Sequence, residues 1–324
     1  MRIAVTGATG FIGKYLVRRL VKDGHDVRVL CRPGRESALE LPADSPVEIQ
    51  VGDLTDAASL EGFANDADFL VHLASAHDHF EESHMQLVNV KGTEYLVEEV
   101  RKNGPKHLVF VVVSSAVIGV PVYSYYRDSK RVQEKIVRGA VPNWASFRPT
   151  LVYGKGDYRH TAPLLRKCGA QKGSYWIYHE GVSMLNPVHI DDLIEALMLF
   201  FAHPAAQEDG RVFEIAGPEG IAFNDFVDAT IEATGGKVKR RNIARHWVNR
   251  ALFLKGLFKD VTKERRGAGY FSLHHDHNIQ PIREELGWDP RPFREGIVEV
   301  AKGDWWKDND NEGKHATSLG TGGV

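Results

Sequence analysis

Short runs rich in Val, Ile, Leu and Phe recur through the first half of the chain, at 2–6, 27–31, 47–51, 69–73, 107–113 and 144–148. They are apolar without a polar alternation, so each predicts a strand covered on both faces. Stretches of helical period lie between them and predict helices over 11–23, 56–64, 84–103 and 126–139. Strands joined by helical crossovers predict an α/β fold with a doubly wound parallel sheet, strand 1 standing beside the point where strand order reverses. Ligands bind at the carboxyl edge of such a sheet, at that point. After about residue 150 the rhythm breaks. Helices are predicted over 190–202, 223–235, 244–259 and 292–303, separated by longer loops rich in Gly, Pro and aromatic residues. This reads as a sheet domain over 1–150, a smaller and mostly helical region over 151–306, and a segment 187–218 that partly returns to the sheet. The polar, glycine-rich tail 307–324 reads as disordered. No internal repeat is visible.

Strand 1 runs into Thr6-Gly7-Ala8-Thr9-Gly10-Phe11-Ile12-Gly13. Gly7 permits a tight turn, Gly10 lets backbone approach a pyrophosphate, and Gly13 lets the next helix pack on the sheet. The helix start then offers N–H groups and a positive dipole end to an anion. Gly7, Thr9, Gly10, Phe11, Ile12 and Gly13 are therefore candidates for holding a dinucleotide. The end of strand 2 bears on which one. An acid there would bind the ribose 2′-hydroxyl of NAD, and an Arg would accept the 2′-phosphate of NADP. No acid closes the strand, Asp26 is at its wrong end, and Arg32 and Arg35 follow it. NADP is favoured over NAD.

The charge balance, −2 over 324 residues, supplies no bulk attraction to nucleic acid or acidic lipid. Two distant cysteines, Cys31 and Cys168, make neither a disulfide framework nor a zinc site and suit a reducing cytosol. No secretory segment precedes strand 1, and apolar stretches such as 197–202 are too short to span a bilayer. The expectation is a cytoplasmic protein with a small-molecule substrate, no nucleic-acid partner, no membrane span and no metal.

Tyr126 and Lys130 stand four apart at the start of a predicted helix and so share a face. An ammonium beside a phenol favours the phenolate, which suits proton transfer. Just upstream, strand 107–113 ends in Ser114-Ser115, whose hydroxyls could hydrogen-bond a substrate oxygen.

With these residues the chain resembles the extended short-chain dehydrogenase/reductase superfamily, the NAD-dependent epimerase/dehydratase family, with its Rossmann-type fold. The matching segments are the glycine turn, Gly52-Asp53-Leu54, His72-Leu73-Ala74, Asn89 with Gly92-Thr93, Ser114-Ser115, and Tyr126 with Lys130. Arg148-Pro149, Val152-Tyr153-Gly154, Val188 to Leu193 and Glu285 to Pro290 follow in the same order. The resemblance implies a Ser/Tyr/Lys active site, with Ser114 orienting the substrate oxygen, Tyr126 as general acid/base and Lys130 tuning it and binding the nicotinamide ribose. It further implies Asp53 and Leu54 beside the adenine, Leu73, Ala74, Ser75 and Asn89 along the cofactor groove, and Pro149 and Thr150 near the nicotinamide. A homodimer through 84–103 and 126–139 is also implied. The resulting expectation is an NAD(P)-dependent oxidoreductase acting on a secondary alcohol or ketone. The alternatives are a nucleotide-sugar epimerase or dehydratase that retains its cofactor, and a non-catalytic NADP-binding sensor or assembly subunit.

Two departures weigh against nucleotide sugars. Only six residues separate Gly119 from Tyr126, and Leu185 falls where relatives of that kind carry an Arg for the diphosphate. Ile118 also replaces the family's usual Tyr. The candidate substrate residues are Ser115, Tyr153 and Trp176. Trp247, Leu252, Phe253, Leu254, Leu257 and Phe258 have helical spacing and read as core, the alternative being that some of them face the crevice and make the substrate pocket apolar. The accompanying Arg245, Arg250, Lys255 and Lys259 leave a membrane-surface helix as a further reading. His77, His79, His84, His274, His275 and His277 read as loop histidines, and His189 as structural.

Overall fold

The six predicted strands form as β1 (Arg2–Thr6), β2 (Asp26–Cys31), β3 (Val47–Val51), β4 (Phe69–His72), β5 (Val109–Val113) and β6 (Trp144–Pro149). The structure is a computed structural model that describes residues 1–42, 44–77, 80–121, 123–207, 210–257 and 277–307. The predicted tail beyond 307, positions 258–259 of the predicted 244–259 helix, and His79, His274 and His275 lie outside the described residues. Helices α1 (Phe11–Lys22), α2 (Glu82–Met85), α3 (Gly92–Asn103) and α4 (Tyr125–Ala140) cross between the strands, α2 passing into α3 through a π-helical stretch, Gln86–Lys91. From residue 151 the order is β7 (Val152–Tyr153), α5 (Thr161–Cys168), β8 (Ser174–Tyr178), β9 (Met184–Leu185), β10 (Val188–His189), α6 (Ile190–Ala202) and β11 (Arg211–Ile215). There follow β12 (Ile221–Ala222), α7 (Phe223–Thr234), β13 (Lys239–Ile243), α8 (Arg245–Gly256), α9 (Gln280–Leu286) and α10 (Phe293–Ala301).

One unit comprises Met1–Thr150, Ile190–Ile215 and Asn278–Trp288. Its sheet has the order β11-β6-β5-β4-β1-β2-β3 with every neighbouring pair parallel. Thr6 is in register with both Leu30 of β2 and His72 of β4. Because the chain leaves β3 at one edge and resumes at β4 beside β1, strand order reverses between β1 and β4. All carboxyl ends share one edge, so the segments after β1, β2, β4, β5 and β6 gather there. α1 turns Gly13, Leu16, Val17 and Leu20 inward, the i, i+3, i+4, i+7 stripe of an amphipathic helix. Phe147, Phe200 and Phe213 pack with ring centroids 5.2 to 5.8 Å apart and join α6 and β11 to the sheet. The buried indole N–H of Trp288 donates to the Asp192 carbonyl at 2.8 Å, anchoring the end of the 278–288 return.

The predicted helix over 56–64 is instead a single 3-10 turn, Ala57–Leu60. Gly62 at φ +77° and Asp66 at φ +57° turn the chain left-handed and stop any helix. Leu60, Phe63 and Ala64 are nonetheless fully buried in the core formed with Leu70, Leu96, Phe110 and Val137, so the apolar spacing there reflects packing without a helix.

The other unit comprises Leu151–His189, Ala216–His277 and Asp289–Val324 as far as described. It contains three two-stranded pairings, β7 with β10, β9 with β12 and β8 with β13. Its core gathers Leu165, Ile177, Leu185, Phe226, Phe293 and Ile297.

Candidate functional site

The glycine turn is closed by its own backbone. Gly7 has φ +73°, and a Cβ there would lie 2.6 Å from the Ala74 nitrogen. A Cβ at Gly13 would stand 2.2 Å from the Gly7 carbonyl oxygen, so only glycine lets α1 seat on the turn. Gly10 caps α1 without a side-chain hydrogen bond, and the first turn carries no acid. The helix therefore presents its first N–H groups and the positive end of its dipole outward. A Cβ at Gly10 would meet only the Gly7 oxygen, at 3.2 Å, so the approach to these N–H groups is open. Thr9, Phe11 and Ile12 flank it, half-buried. These features fit the pyrophosphate of a dinucleotide.

A buried hydrogen-bonded chain ties this turn to α4. The Thr6 hydroxyl is 2.7 Å from His72 Nδ1, and the Ala74 N–H donates to the same hydroxyl at 3.4 Å. His72 Nε2 lies 3.0 Å from the Thr93 hydroxyl and 2.9 Å from Gln133 Nε2. Lys130 Nζ donates to Gln133 Oε1 and to the Val113 carbonyl, the latter at 3.0 Å. The ammonium thus fixes the Gln133 amide with its oxygen towards Lys130 and its NH2 towards His72, which assigns His72 the Nδ1–H tautomer. Burial lowers Lys130 to about 7, against a smaller opposing pull from Glu134. Burial, with the Lys130 charge second, lowers His72 to about 3. Both groups hold protons less tightly folded than unfolded, so stability rises with pH between each folded value and its unfolded one. Urea midpoints of the cofactor-free protein are expected to climb between pH 7 and 10, and Lys130→Met is expected to abolish that upper rise. A flat wild-type profile there would disprove the assignment.

Tyr126 lies on the same face of α4, half-buried, with its ring centroid 5.0 Å from that of His77. Ser114 directly follows β5 at 5 % exposure. Its hydroxyl stands beside the Glu134 carboxylate without reaching hydrogen-bonding geometry. Ser115 caps the turn Ala116–Gly119, its hydroxyl accepting from the Val117 N–H at 3.3 Å. Glu134 accepts from Ser146 at 2.7 Å and from Arg148 Nε and Nη2 at 2.9 and 2.7 Å.

Asn89 does not itself face open space. Buried in the π-helical stretch, it accepts from the Ala76 N–H at 2.7 Å and donates to the Ala76 carbonyl and the Ser129 hydroxyl, each at 2.9 Å. It therefore pins Ser75 and Ala76 to α4, Ser75 donating to it at 3.3 Å. Asp53 folds back on Thr55, accepting from its N–H and hydroxyl at 2.8 and 2.7 Å. Leu54 is 6 % exposed and lies under Gly92, where a Cβ would meet its Cγ at 2.6 Å. Arg32 is exposed just after β2, and Arg35 has a buried Nε without a hydrogen-bond partner. Pro149 ends β6, and the Thr150 N–H donates to the Ile215 carbonyl at 2.9 Å. In the other unit Tyr153 is 3 % exposed, its ring 5.2 Å from His189 and 5.0 Å from Phe293, and Trp176 is 52 % exposed. Among the described residues no three His, Cys, Asp or Glu gather as metal ligands. None of their helices is long and apolar enough to cross a membrane.

Sequence reasoning assigned no role to Gln133, Glu134 or the His72–Thr93 pair. A signal was present: Lys130, Gln133 and Glu134 are polar residues on the helix face whose period marks it as inward.

A parallel sheet reversing between β1 and β4, a glycine turn feeding a helix, and a buried Lys four residues after a Tyr define an extended short-chain dehydrogenase/reductase. The model of the NAD dependent epimerase/dehydratase family matches residues 3–216, and the chain belongs to that family. Among curated proteins, ceramide reductase of Caulobacter vibrioides is 33 % identical over 202 residues, 62 % of this chain and 61 % of that protein, so this match spans less than two thirds of the relative. The 3-beta-hydroxysteroid dehydrogenase of Mycolicibacterium neoaurum is 24 % identical over 323 residues, 89 % of this chain and 87 % of that one. Among solved structures, gox2253 is similar with a TM-score of 0.76 at 23 % identity, covering 94 % of this chain and 97 % of that one.

Proposed function

We propose that the chain is an NADP-linked reductase or dehydrogenase that interconverts a secondary alcohol and a ketone on an apolar substrate. The observation that carries this is the buried chain Thr6–His72–Gln133–Lys130, which ties the helix bearing Tyr126 to the strand that precedes the glycine turn. When bound, NADP(H) would supply or accept the hydride at the substrate carbon. The turn 7–13 and the start of α1 would hold its pyrophosphate, with Arg32 and Arg35 on the 2′-phosphate. Tyr126 gives the proton to the substrate oxygen in reduction and takes it back in oxidation, and Lys130 in its protonated form favours the phenolate. The Ser114 and Ser115 hydroxyls are the candidates to orient that oxygen. Leu185 is buried in its unit's core at 6 % exposure, where an Arg for a nucleotide diphosphate would have no aqueous outlet. The two curated relatives named above, by their printed names, act on a ceramide and a steroid, which supports an apolar substrate. The same reading puts dimer contacts on the outward faces of the 84–103 and 126–139 segments, where Leu87 and Val132 are 42 and 40 % exposed.

The test is titration with NADPH and NADH, following nicotinamide fluorescence. NADPH is expected to bind at least tenfold more tightly, and Arg32→Ala to weaken NADPH about 10- to 100-fold with little effect on NADH, the range for one charge-assisted contact. Preference for NADH, or nucleotide that copurifies and does not exchange, would overturn the NADP assignment and favour an epimerase.

A further inference from the structure

A helix on a protein surface ordinarily has one apolar stripe, turned inward. α8 has two. Val248, 8 % exposed, and half-buried Leu252 are four apart and form the inward one. Trp247, Phe253, Leu254 and Leu257 fall on the opposite arc of the 3.6-residue period and are 57, 60, 53 and 61 % exposed. The expectation that this run is core therefore fails for these four. Single exposed apolar residues need no account, but four on three turns form a patch.

Charge singles out the same stretch. Between positions 237 and 257 the chain carries seven Lys or Arg and no Asp or Glu, against a net charge of −2 for the whole. All seven are exposed. Arg250 lies over the Trp247 ring, 5.9 Å from its centroid. Among the described residues two carboxylates from other segments reach this stretch: Asp228 pairs with Arg240 at 2.8 Å, and Glu180 accepts from the Arg245 backbone N–H at 3.1 Å. They leave a large positive excess.

We propose that β13 and α8 form a docking surface for an anionic lipid bilayer. Trp247, Phe253, Leu254 and Leu257 enter the acyl boundary, while Arg241 and Arg250 lie among the headgroup phosphates. A second copy of the chain is a poor occupant, because an isologous contact would press two strongly basic stretches together. Nucleic acid would answer the charge but leave the four apolar side chains in water. Docking does not depend on the oxidoreductase reading. If that reading also holds, the surface would let the enzyme take an apolar substrate from the bilayer.

The experiment is flotation of the full chain with vesicles of pure phosphatidylcholine, and with vesicles containing about one-third phosphatidylglycerol. Partitioning onto the anionic vesicles is expected to exceed that onto the neutral ones at least tenfold at low salt and to fall as salt is added. Phe253→Ser with Leu257→Ser is expected to lower it more than tenfold, and Arg241→Ser with Arg250→Ser about fivefold per charge removed. The dependence of the unsubstituted chain on lipid and salt is read without any variant, so a variant that misfolds does not spoil the test. Equal or absent binding to the two vesicle types would overturn the proposal, as would folded variants that still bind like the parent. A vesicle-free doubling of mass in sedimentation, lost in Phe253→Ser with Leu257→Ser, would instead assign the face to a second copy.

Discussion

Tyr126→Phe is expected to lower the turnover of a ketone substrate about a thousandfold, close to 4 kcal/mol of transition-state stabilisation, while NADPH binding stays within about threefold of the parent. The ring is kept, so its packing against His77 is conserved and only the hydroxyl is lost. Without that hydroxyl no side chain on this face of α4 can hand a proton to the substrate oxygen. Lys130 cannot replace it, because its ammonium is 1 % exposed and committed to Gln133 and the Val113 carbonyl. The measurement is steady-state kinetics beside a nicotinamide fluorescence titration of the same preparation. Unchanged turnover would end the catalytic assignment. Loss of turnover and cofactor binding together would show a structural effect and leave the role of the hydroxyl unsupported.

Arg148→Ala is expected to destabilise the fold by about 3–5 kcal/mol, the range for stripping the partner from a buried charge. The Glu134 side chain is 4 % exposed and Arg148 is its only cationic partner among the described residues, at 2.7 Å. Glu214 reaches the far side of Arg148 at 3.5 Å, so the variant disturbs that carboxylate too. Glu134→Leu with Arg148→Met should recover most of the loss, since no charge then needs a partner. The pH dependence is more diagnostic. Burial alone would push the Glu134 carboxyl up, but Arg148 and Ser146 hold it below the usual glutamate value. The stability it contributes is therefore complete above the unfolded pKa, about 4.3, and is lost as pH falls through the lower folded value. In Arg148→Ala burial is no longer outweighed, and the sign should reverse, with mild acid lessening the defect. Urea melts across pH 4 to 7 decide it, and a defect that grows on acidification would contradict the account.

The elements that could be read from the chain are those governed by neighbours in sequence. Unalternated apolar runs marked β1 to β6, and their separation by helical segments implied parallel strands. Parallel strands place the residues after each strand at one edge, among them the glycine turn, Arg32 and Ser114, whereas Ala74 and Thr150 follow from the family resemblance. The helical period alone put Tyr126 and Lys130 on one face. Over 56–64 the apolar spacing of a helix arises from packing alone, because Gly62 and Asp66 hold left-handed backbone.

What only the tertiary structure decided are relations between positions far apart. Gln133 meets His72 across 61 residues because α4 packs against α3 and β5 in one register, and no local pattern encodes that register. Leu54 lies under Gly92 for the same kind of reason. α9 returns to the sheet unit after a long excursion, a matter of which surface buries Ile282 and Leu286. In α8 the period announced apolar positions but not which of its two stripes has a protein against it. A sequence fixes backbone preference and periodicity through short-range sterics, whereas partners for charges and apolar faces come from the packing of the whole chain.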